Sequence, residues 1–354
     1  MINILTIDLE DYFMVSAFES VVKRESWDRY ESRIERNTYL VLNILAGCQP
    51  PSLRRGIDPL NNAFSFLQPT AHDSSDFPTT ENPAPKIPVR ATFFCLGWIA
   101  ERYPHLIREI ARQKHEIACH SYDHRLVYYI GHEQFREDIR KSKRILEDII
   151  GQEVIGYRAP SYSITKKCLW ALEILAEEGY KYDSSIFPIH HDRYGIPTAP
   201  RFPFMIDLNH GKDIRFIPLY GLNRANASTL TPHGINLPYP LGLEASSNVG
   251  LIEFPISTVK FLGANVPMGG GGYFRLLPYP IVKRGLRRIN DEDETPFIFY
   301  IHPWEFDSGQ PRFNNESSIT KIRHYINLDK TRIKIENLLA DFSFSSIKEI
   351  FYPI

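Results

Sequence analysis

Cysteine is scarce in this chain, and an excess of basic charge is missing. The 354 residues include four cysteines (Cys48, Cys95, Cys119, Cys168), widely spaced and with no CxxC pair. In a chain this long they read as reduced, buried thiols, which predicts a cytosolic compartment. Lys and Arg number 41 against 42 Asp and Glu, leaving a formal charge of -1. The basic footprint with which nucleic-acid binders neutralise phosphates is therefore lacking, and that class is set aside. No apolar run approaches the roughly 18–20 residues that span a bilayer. The N-terminus meets Asp8, Glu10 and Asp11 before an apolar secretion segment can develop, so it reads as a first strand with no signal peptide. No repeat of 20–50 residues is visible. The glycine run Gly269–Gly272 has neither GxGxxG spacing nor a following Lys-Ser/Thr, so it predicts a turn or a close approach of backbone and not a phosphate loop.

What is present is ordinary for a globular protein: 43% hydrophobic and 23% charged residues. The length allows two domains or one large α/β unit with decorations. Aromatics reach 13%, with 19 Tyr and 22 Phe, which serve a large core or sugar-stacking surfaces. Apolar β-branched runs predict strands at Ile2–Asp8, Val89–Phe94, Glu116–Cys119, Val154–Tyr157, Tyr180–Asp183, Gly250–Ile256 and Pro296–Ile301. Between them helical spacing predicts helices at Tyr30–Leu45, Pro104–Lys114, Glu133–Ile150 and Lys167–Glu178, with a further one near Thr331–Leu339. Strands alternating with helices argue a parallel sheet or barrel with helices outside. From Cys48 to Pro88 the text turns to Pro, Ser, Thr and Asn without periodicity, which predicts a long loop or disordered insertion. Short β-like pieces in Phe204–Val249 predict an elaboration of the main fold.

Four clusters fall at predicted strand ends. Asp8-Leu9-Glu10-Asp11 gathers three carboxylates that repel one another unless a cation or base neutralises them; read alone it is equally a turn of surface acids. His120-Ser121-Tyr122-Asp123-His124 has HxxxH spacing, which on a helical turn lets two imidazoles reach one metal ion. Arg158-Ala159-Pro160 can hold a carboxylate ionised and oriented, although a surface Arg before a turn is the simpler reading in isolation. His302-Pro303-Trp304-Glu305 follows the last apolar strand, and a lone His beside Trp is more often packed than catalytic. Together the clusters hold two imidazoles and a carboxylate for a metal ion, a second carboxylate as base, an Arg and a separate His. These are the parts for metal-assisted hydrolysis of an amide.

The order of these motifs resembles the polysaccharide deacetylase superfamily, carbohydrate esterase family 4, over roughly Ile2 to Ile301 without the insertion. The blocks TIDLEDYF, ATFFCLGWIAERYP, HEIACHSYDHRLVY, IGYRAPSYSIT, YDSSIFP and IHPWEFD carry the likeness. They are similar to the subgroup associated with exosortase-type polysaccharide loci, which has its own C-terminal extension. The resemblance implies an α/β fold, the irregular (β/α) barrel of the NodB homology type. It places a barrel at residues 1–302 and an extension packing on it at 303–354.

Residue by residue, the resemblance implies that Asp8 is the general base, His120 and His124 are metal ligands, Arg158 pairs with the base, and His302 is the general acid. Most members carry two adjacent aspartates in the first motif, but Leu9 follows Asp8 here; Glu10 is then the expected ligand and Asp11 its competitor. Softer expectations are a backbone N–H from Tyr162 for the oxyanion, a sugar-binding or imidazole-orienting role for Asp183 against a turn acid, and ring packing by Trp304 and Tyr157. Tyr122 and Asp123 are expected to shape the turn between the two His, and the adjacent His190 and His191 to belong to a loop. The implied activity is removal of N-acetyl groups from amino sugars of a polysaccharide or its lipid-linked precursor in exopolysaccharide biosynthesis. The implied cofactor is a divalent metal, zinc by its taste for N and O ligands. A cytoplasmic site of action, peripheral to the inner membrane and next to membrane polysaccharide machinery, goes with that reading. The rivals are hydrolysis of a small cyclic imide, ureide or formamide, and a catalytically silent polysaccharide-binding member.

Overall fold

Strand β1 (Ile2–Leu9) is buried along almost its whole length, because both of its faces are covered. Leu5, Ile7 and Leu9 point to one large apolar cluster shared with the helices, while Ile4 points to a second. The computed structural model that shows this describes residues 1–47, 89–208, 214–219, 229–230, 236–237, 250–313 and 317–352. The expected insertion 48–88 and most of 204–249 lie outside the described residues.

After β1 come α1 (Ile34–Leu45), β2 (Thr92–Cys95), α2 (Gly97–Arg102), α3 (Pro104–Arg112), β3 (Glu116–Cys119), α4 (His132–Ile150), β4 (Gly156–Tyr157), α5 (Trp170–Glu177) and β5 (Tyr182–Asp183). Helix α4 buries Phe135, Ile139 and Leu146 at helical spacing and stops at Gly151, whose φ of 66° suits the left-handed position that glycine fills without strain. The middle of the chain adds short strands β6 (Phe204–Asp207), β7 (Arg215–Pro218), β8 (Thr229–Leu230), β9 (Asn236–Leu237), β10 (Leu251–Glu253), β11 (Thr258–Phe261) and β12 (Ala264–Pro267). The last stretch holds α6 (Gly271–Leu276), α7 (Tyr279–Asp291), β13 (Ile298–Ile301), α8 (Ser318–Tyr325), α9 (Leu328–Asp341), β14 (Ser343–Ser345) and α10 (Ile347–Phe351). Helices α2, α6, α7, α8 and α10 are absent from the sequence-based expectation.

The main sheet runs β13-β1-β2-β3-β4-β5-β10-β6-β7. All pairs from β13 to β10 are parallel; β6 and β7 continue antiparallel. Ile4, Phe94, Ala118, Tyr182, Ile252, Phe254, Ile298 and Tyr300, drawn from six strands, meet in one buried cluster. Only a sheet curled around an interior brings them together, and this is the irregular barrel that the motif order predicts. Between β10 and β13 the ring is bridged by irregular chain. Ile298 N–H donates to Ser257 Oγ at 2.8 Å, and Tyr300 N–H to the Gly269 carbonyl at 2.7 Å. The glycine run is thus a close approach of backbones: at Gly270 (φ 124°) a Cβ would collide with the Tyr300 carbonyl.

The C-terminal extension is woven into the barrel. Strand β14 pairs parallel with Ile2–Ile4. Helix α10 sends Ile347, Ile350 and Phe351 into the inner cluster. Its first N–H groups donate to Thr92 Oγ1 and to the buried Glu116 carboxylate, each at 2.9 Å. This plugs the end of the barrel where the strands begin, leaving the opposite end for chemistry. Cys95, Cys119 and Cys168 are buried free thiols, and among the described residues no helix is long and apolar enough to cross a membrane.

Candidate metal and acid–base site

The carboxyl ends of β1, β3, β4 and β13 and the loops that follow them bring six of the expected site residues, Asp8, Glu10, His120, His124, Arg158 and His302, to one place. Along β1 the inward positions are Ile4, Thr6 and Asp8, and Glu10 follows just past the strand. Glu10, His120 and His124, all buried, offer ligand atoms that lie within 4.8 Å of one another. Asp11 is turned away: its Oδ2 accepts from the N–H groups of Arg33 (2.7 Å) and Ile34 (3.1 Å) at the start of α1, and its Oδ1 from Tyr12 N–H (2.9 Å). It therefore closes a helix N-terminus. Burial raises its pKa to about 6 in spite of those bonds.

His120 and His124 meet without the helical turn that their spacing suggested. Residues 120–126 form an irregular loop in which Ser121 and His124 have φ of 64° and 59°. These left-handed residues reverse the chain and bring the second imidazole back; the carbonyls of Ser121 and Tyr122 are held by the N–H groups of Gly97 and Trp98 (both 2.9 Å). Ser161 and Tyr162 add φ of 50° and 54° beside the same site. Four non-glycine residues in a sparsely populated region cost energy that the surrounding packing must offset, and such strain gathers at functional sites.

His120 Nδ1–H donates to the Arg158 carbonyl at 2.7 Å, which fixes its tautomer and leaves Nε2 for the site. Burial, only partly opposed by Asp8, lowers its pKa to about 4, so the ring is neutral and its lone pair free. His124 Nε2 stands 3.0 Å from Glu10 Oε2, yet that oxygen has no well-aligned hydrogen bond. Burial alone would raise the Glu10 pKa, but His124 and His302 bring it well below the usual carboxylate range. An anionic oxygen and two imidazoles, buried and convergent, fit the donor set of a divalent metal ion.

Arg158 is fully buried beneath them. Its Nη1 donates to Asp8 Oδ1 (2.7 Å) and Thr6 Oγ1 (2.8 Å), its Nε to the Ser184 carbonyl (3.0 Å) and its Nη2 to Ser184 Oγ (2.8 Å), while the guanidinium lies 4.1 Å from the centre of the Phe94 ring. Asp8 is thereby held with Oδ2 facing His302 Nε2 at 3.8 Å. His302 Nε2 is also 3.1 Å from Glu10 Oε1, and its Nδ1–H donates to Glu305 Oε1 at 2.6 Å. Burial would lower the His302 pKa, but Glu10 and Glu305 outweigh it and raise it to about 10, so this ring carries a proton to give. Glu305 carried no role in the fourth cluster, and its partner Arg275 (Nε to Oε2, 2.7 Å) was not singled out by the sequence. The available signal was the i,i+3 carboxylate of a capping box, present here as Glu305 accepting from His302 N–H at 3.1 Å.

Several softer expectations fail on geometry. The Tyr162 amide, expected to face the oxyanion, already donates to the Ala159 carbonyl at 3.0 Å. Trp304 is no open sugar platform; it is buried between the rings of His302 (5.1 Å) and His324 (4.2 Å). Tyr157 lies on the helix-covered face of the sheet, its hydroxyl 2.7 Å from Ser121 Oγ. Asp183 neither orients an imidazole nor meets solvent: it accepts from Ser185 Oγ (2.5 Å) and sits buried beside Glu253. Tyr122 and Asp123 do lie in the turn between the two His, where Tyr122 N–H donates to Asp138 Oδ1 at 3.0 Å. His190 and His191 stand outside the ligand cluster, His191 stacked on Tyr194 at 3.8 Å. A cavity of about 610 Å³ opens at the other end of the barrel, lined by Arg90, His115, Glu116 and Lys348 among others. It lacks this convergence of unpaired donors, since Glu116 is already bound by Thr92, Tyr182 and the Lys348 amide.

Residues 86–182 match the family model described as polysaccharide deacetylase, and residues 234–352 match a model described as a domain of unknown function. The peptidoglycan-N-acetylglucosamine deacetylase of Bacillus cereus is 35% identical over 86 residues, 24% of this chain and 31% of that protein. The peptidoglycan deacetylase of Helicobacter pylori is 28% identical over 102 residues, 29% of this chain and 33% of that protein. The match thus spans about a third of the length of these curated relatives. Among solved structures, a Mycobacterium smegmatis protein assigned provisionally to the polysaccharide deacetylases superposes with a TM-score of 0.47 at 15% identity, covering 98% of this chain and 89% of that one. A pseudoenzyme of carbohydrate esterase family 4 from Bacillus anthracis gives 0.34 at 12%, covering 75% and 56%. Both superpositions are loose.

Proposed function

We propose, from the match of residues 86–182 to the polysaccharide deacetylase family model and from the geometry of the site, that the chain is a divalent-metal-dependent hydrolase that removes N-acetyl groups from amino sugars. The substrate we assign is an N-acetylated polysaccharide of the extracellular type or its lipid-linked precursor. One observation carries the reading: Glu10, His120 and His124 converge within 4.8 Å, with the Arg158-held Asp8 and the protonated His302 beside them. The Bacillus cereus relative, named a peptidoglycan-N-acetylglucosamine deacetylase, supports the same bond class.

Glu10, His120 and His124 would hold the ion, which when bound supplies Lewis acidity toward the acyl oxygen and makes a nearby water more acidic. Asp8, fixed by Arg158, accepts a proton from the attacking water. His302 Nε2, on the far side of Asp8 from Arg158, gives a proton to the departing amine. A backbone N–H supports the oxyanion; Ser161, directly after Arg158-Ala159-Pro160, replaces Tyr162 in that role because the Tyr162 amide is engaged. The test measures bound metal and acetate release from N-acetylglucosamine oligomers. Acetate released by the loaded protein and abolished by a chelator is the expected result. No acetate from any oligomer, with metal bound in equimolar amount, refutes the proposal and favours a silent sugar-binding protein.

A further inference from the structure

We propose that Glu305 and Arg275 form the positioning element for His302, and that the C-terminal extension holds this element through the open end of α8. The proposal rests on the reading of His302 as proton donor and adds what keeps it in place.

The chain of contacts is continuous. Glu305 Oε1 accepts from both the main-chain N–H of His302 (3.1 Å) and its Nδ1–H (2.6 Å), so a single oxygen fixes backbone and ring together. The intervening turn begins with Pro303, whose locked φ removes one freedom from it. With Nδ1 committed as a donor, Nε2 is the nitrogen left to exchange a proton. It points to Glu10 at 3.1 Å and Asp8 at 3.8 Å.

The second oxygen of Glu305 is taken by Arg275 Nε at 2.7 Å, and both residues are buried. Arg275 spends its remaining donors on the extension: Nη1 on the carbonyls of His324 (2.5 Å) and Ile326 (3.1 Å), Nη2 on that of Arg323 (3.1 Å). These carbonyls belong to the last turn of α8, where carbonyl groups lack helical partners and the helix dipole is negative. The guanidinium therefore bridges the glutamate and the partial negative charge of a helix C-terminus. The main chain around Arg275 is tied to α9 as well, because Lys334 Nζ donates to the carbonyls of Phe274, Arg275 and Leu277 at 2.9–3.0 Å. Trp304, stacked between His302 and His324, fills the space that would otherwise let the imidazole swing.

A buried ion pair can also be mere scaffolding. The distinguishing measurement compares Glu305→Gln with wild type, both metal-loaded, on an N-acetylglucosamine oligomer and on an aryl acetate. The amine must be protonated as it leaves, whereas phenolate needs no proton. A positioning role predicts a fall in kcat of roughly 10–100-fold on the amide with KM and bound metal held. The ratio of amide to ester turnover should fall about tenfold. Arg275→Lys, which keeps the charge but loses the fork, should show the same pattern to a smaller degree and serves if Glu305→Gln does not fold. Equal loss on both substrates, loss of metal, or no loss at all overturns the proposal. Absence of acetate release by the wild type would instead remove the functional reading itself.

Discussion

Replacing Arg158 by Met tests whether the Asp8–Arg158 pair is the electrostatic footing of the site. Arg158 is fully buried and Asp8 is 3% exposed, so the variant leaves a carboxylate in the barrel interior with its cation gone. Breaking such a buried pair from one side costs about 3–5 kcal/mol. The Ser184 carbonyl and hydroxyl lose their guanidinium donors at the same time, which adds to the penalty. Asp8→Asn in the same background removes the stranded charge, so the double variant should recover about 2 kcal/mol or more relative to the sum of the single changes. Urea denaturation followed at the same pH and salt reads these differences as midpoint shifts at constant slope. All three variants should fail to release acetate. Additive single effects, or a cost below about 1 kcal/mol for Arg158→Met, would show that Asp8 does not depend on Arg158 and would refute the argument.

Removing His120 or His124 by Ala should abolish metal binding in elemental analysis, whereas Asp11→Asn should keep the metal and cost about 1 kcal/mol through a weakened α1 start. His302→Ala should lose acetate release while retaining the ion; normal turnover would overturn its role. Asp183 has its pKa raised to about 6 by burial, and Glu253 is pushed up further by burial and by Asp183. The folded state thus binds more protons than the unfolded one, so this contribution is complete below about pH 4 and lost as pH rises through 6 and beyond. Asp183→Asn should flatten that decline in denaturation midpoints. Gly270→Ala should cost more than about 2 kcal/mol or prevent folding, since neither φ nor space permits a Cβ; a wild-type midpoint would contradict the close approach to Tyr300.

The strands that carry the site were legible because they are short, apolar and end in polar clusters. Strand β3 falls on the predicted Glu116–Cys119, and α4 begins one residue before its predicted start. Helix α7 was missed although Val282, Leu286 and Ile289 keep helical spacing, because Gly285, two prolines nearby and four basic residues dilute the pattern. Facing was the harder question. Arg158 points inward, so by the period of two Tyr157 must point outward, and the strand assignment already contained that answer. Glu305 and Arg275 stand 30 residues apart in sequence, and only the fold shows that they touch. The left-handed turn at Ser121 and His124 had no glycine to announce it.

Counter-charges in the site are distributed unevenly, and the unevenness bears on what the site must bind. Asp8 has Arg158 at 2.7 Å and Glu305 has Arg275 at 2.7 Å, two permanent cations for two buried acids. Glu10, equally buried, has only imidazoles, His124 at 3.0 Å and His302 at 3.1 Å. In the proposed function, His302 cannot be both the lasting counter-ion of Glu10 and the group that surrenders a proton to an amine. At the moment of transfer Glu10 would be left as a buried carboxylate without compensation, a state that costs several kcal/mol. In the proposed function, a divalent ion held by Glu10, His120 and His124 would supply the neutralisation of Glu10 and leave the His302 proton for the amine. If His302 is the proton donor of the proposed reaction, the charge pattern around Glu10 therefore favours a bound cation at this position.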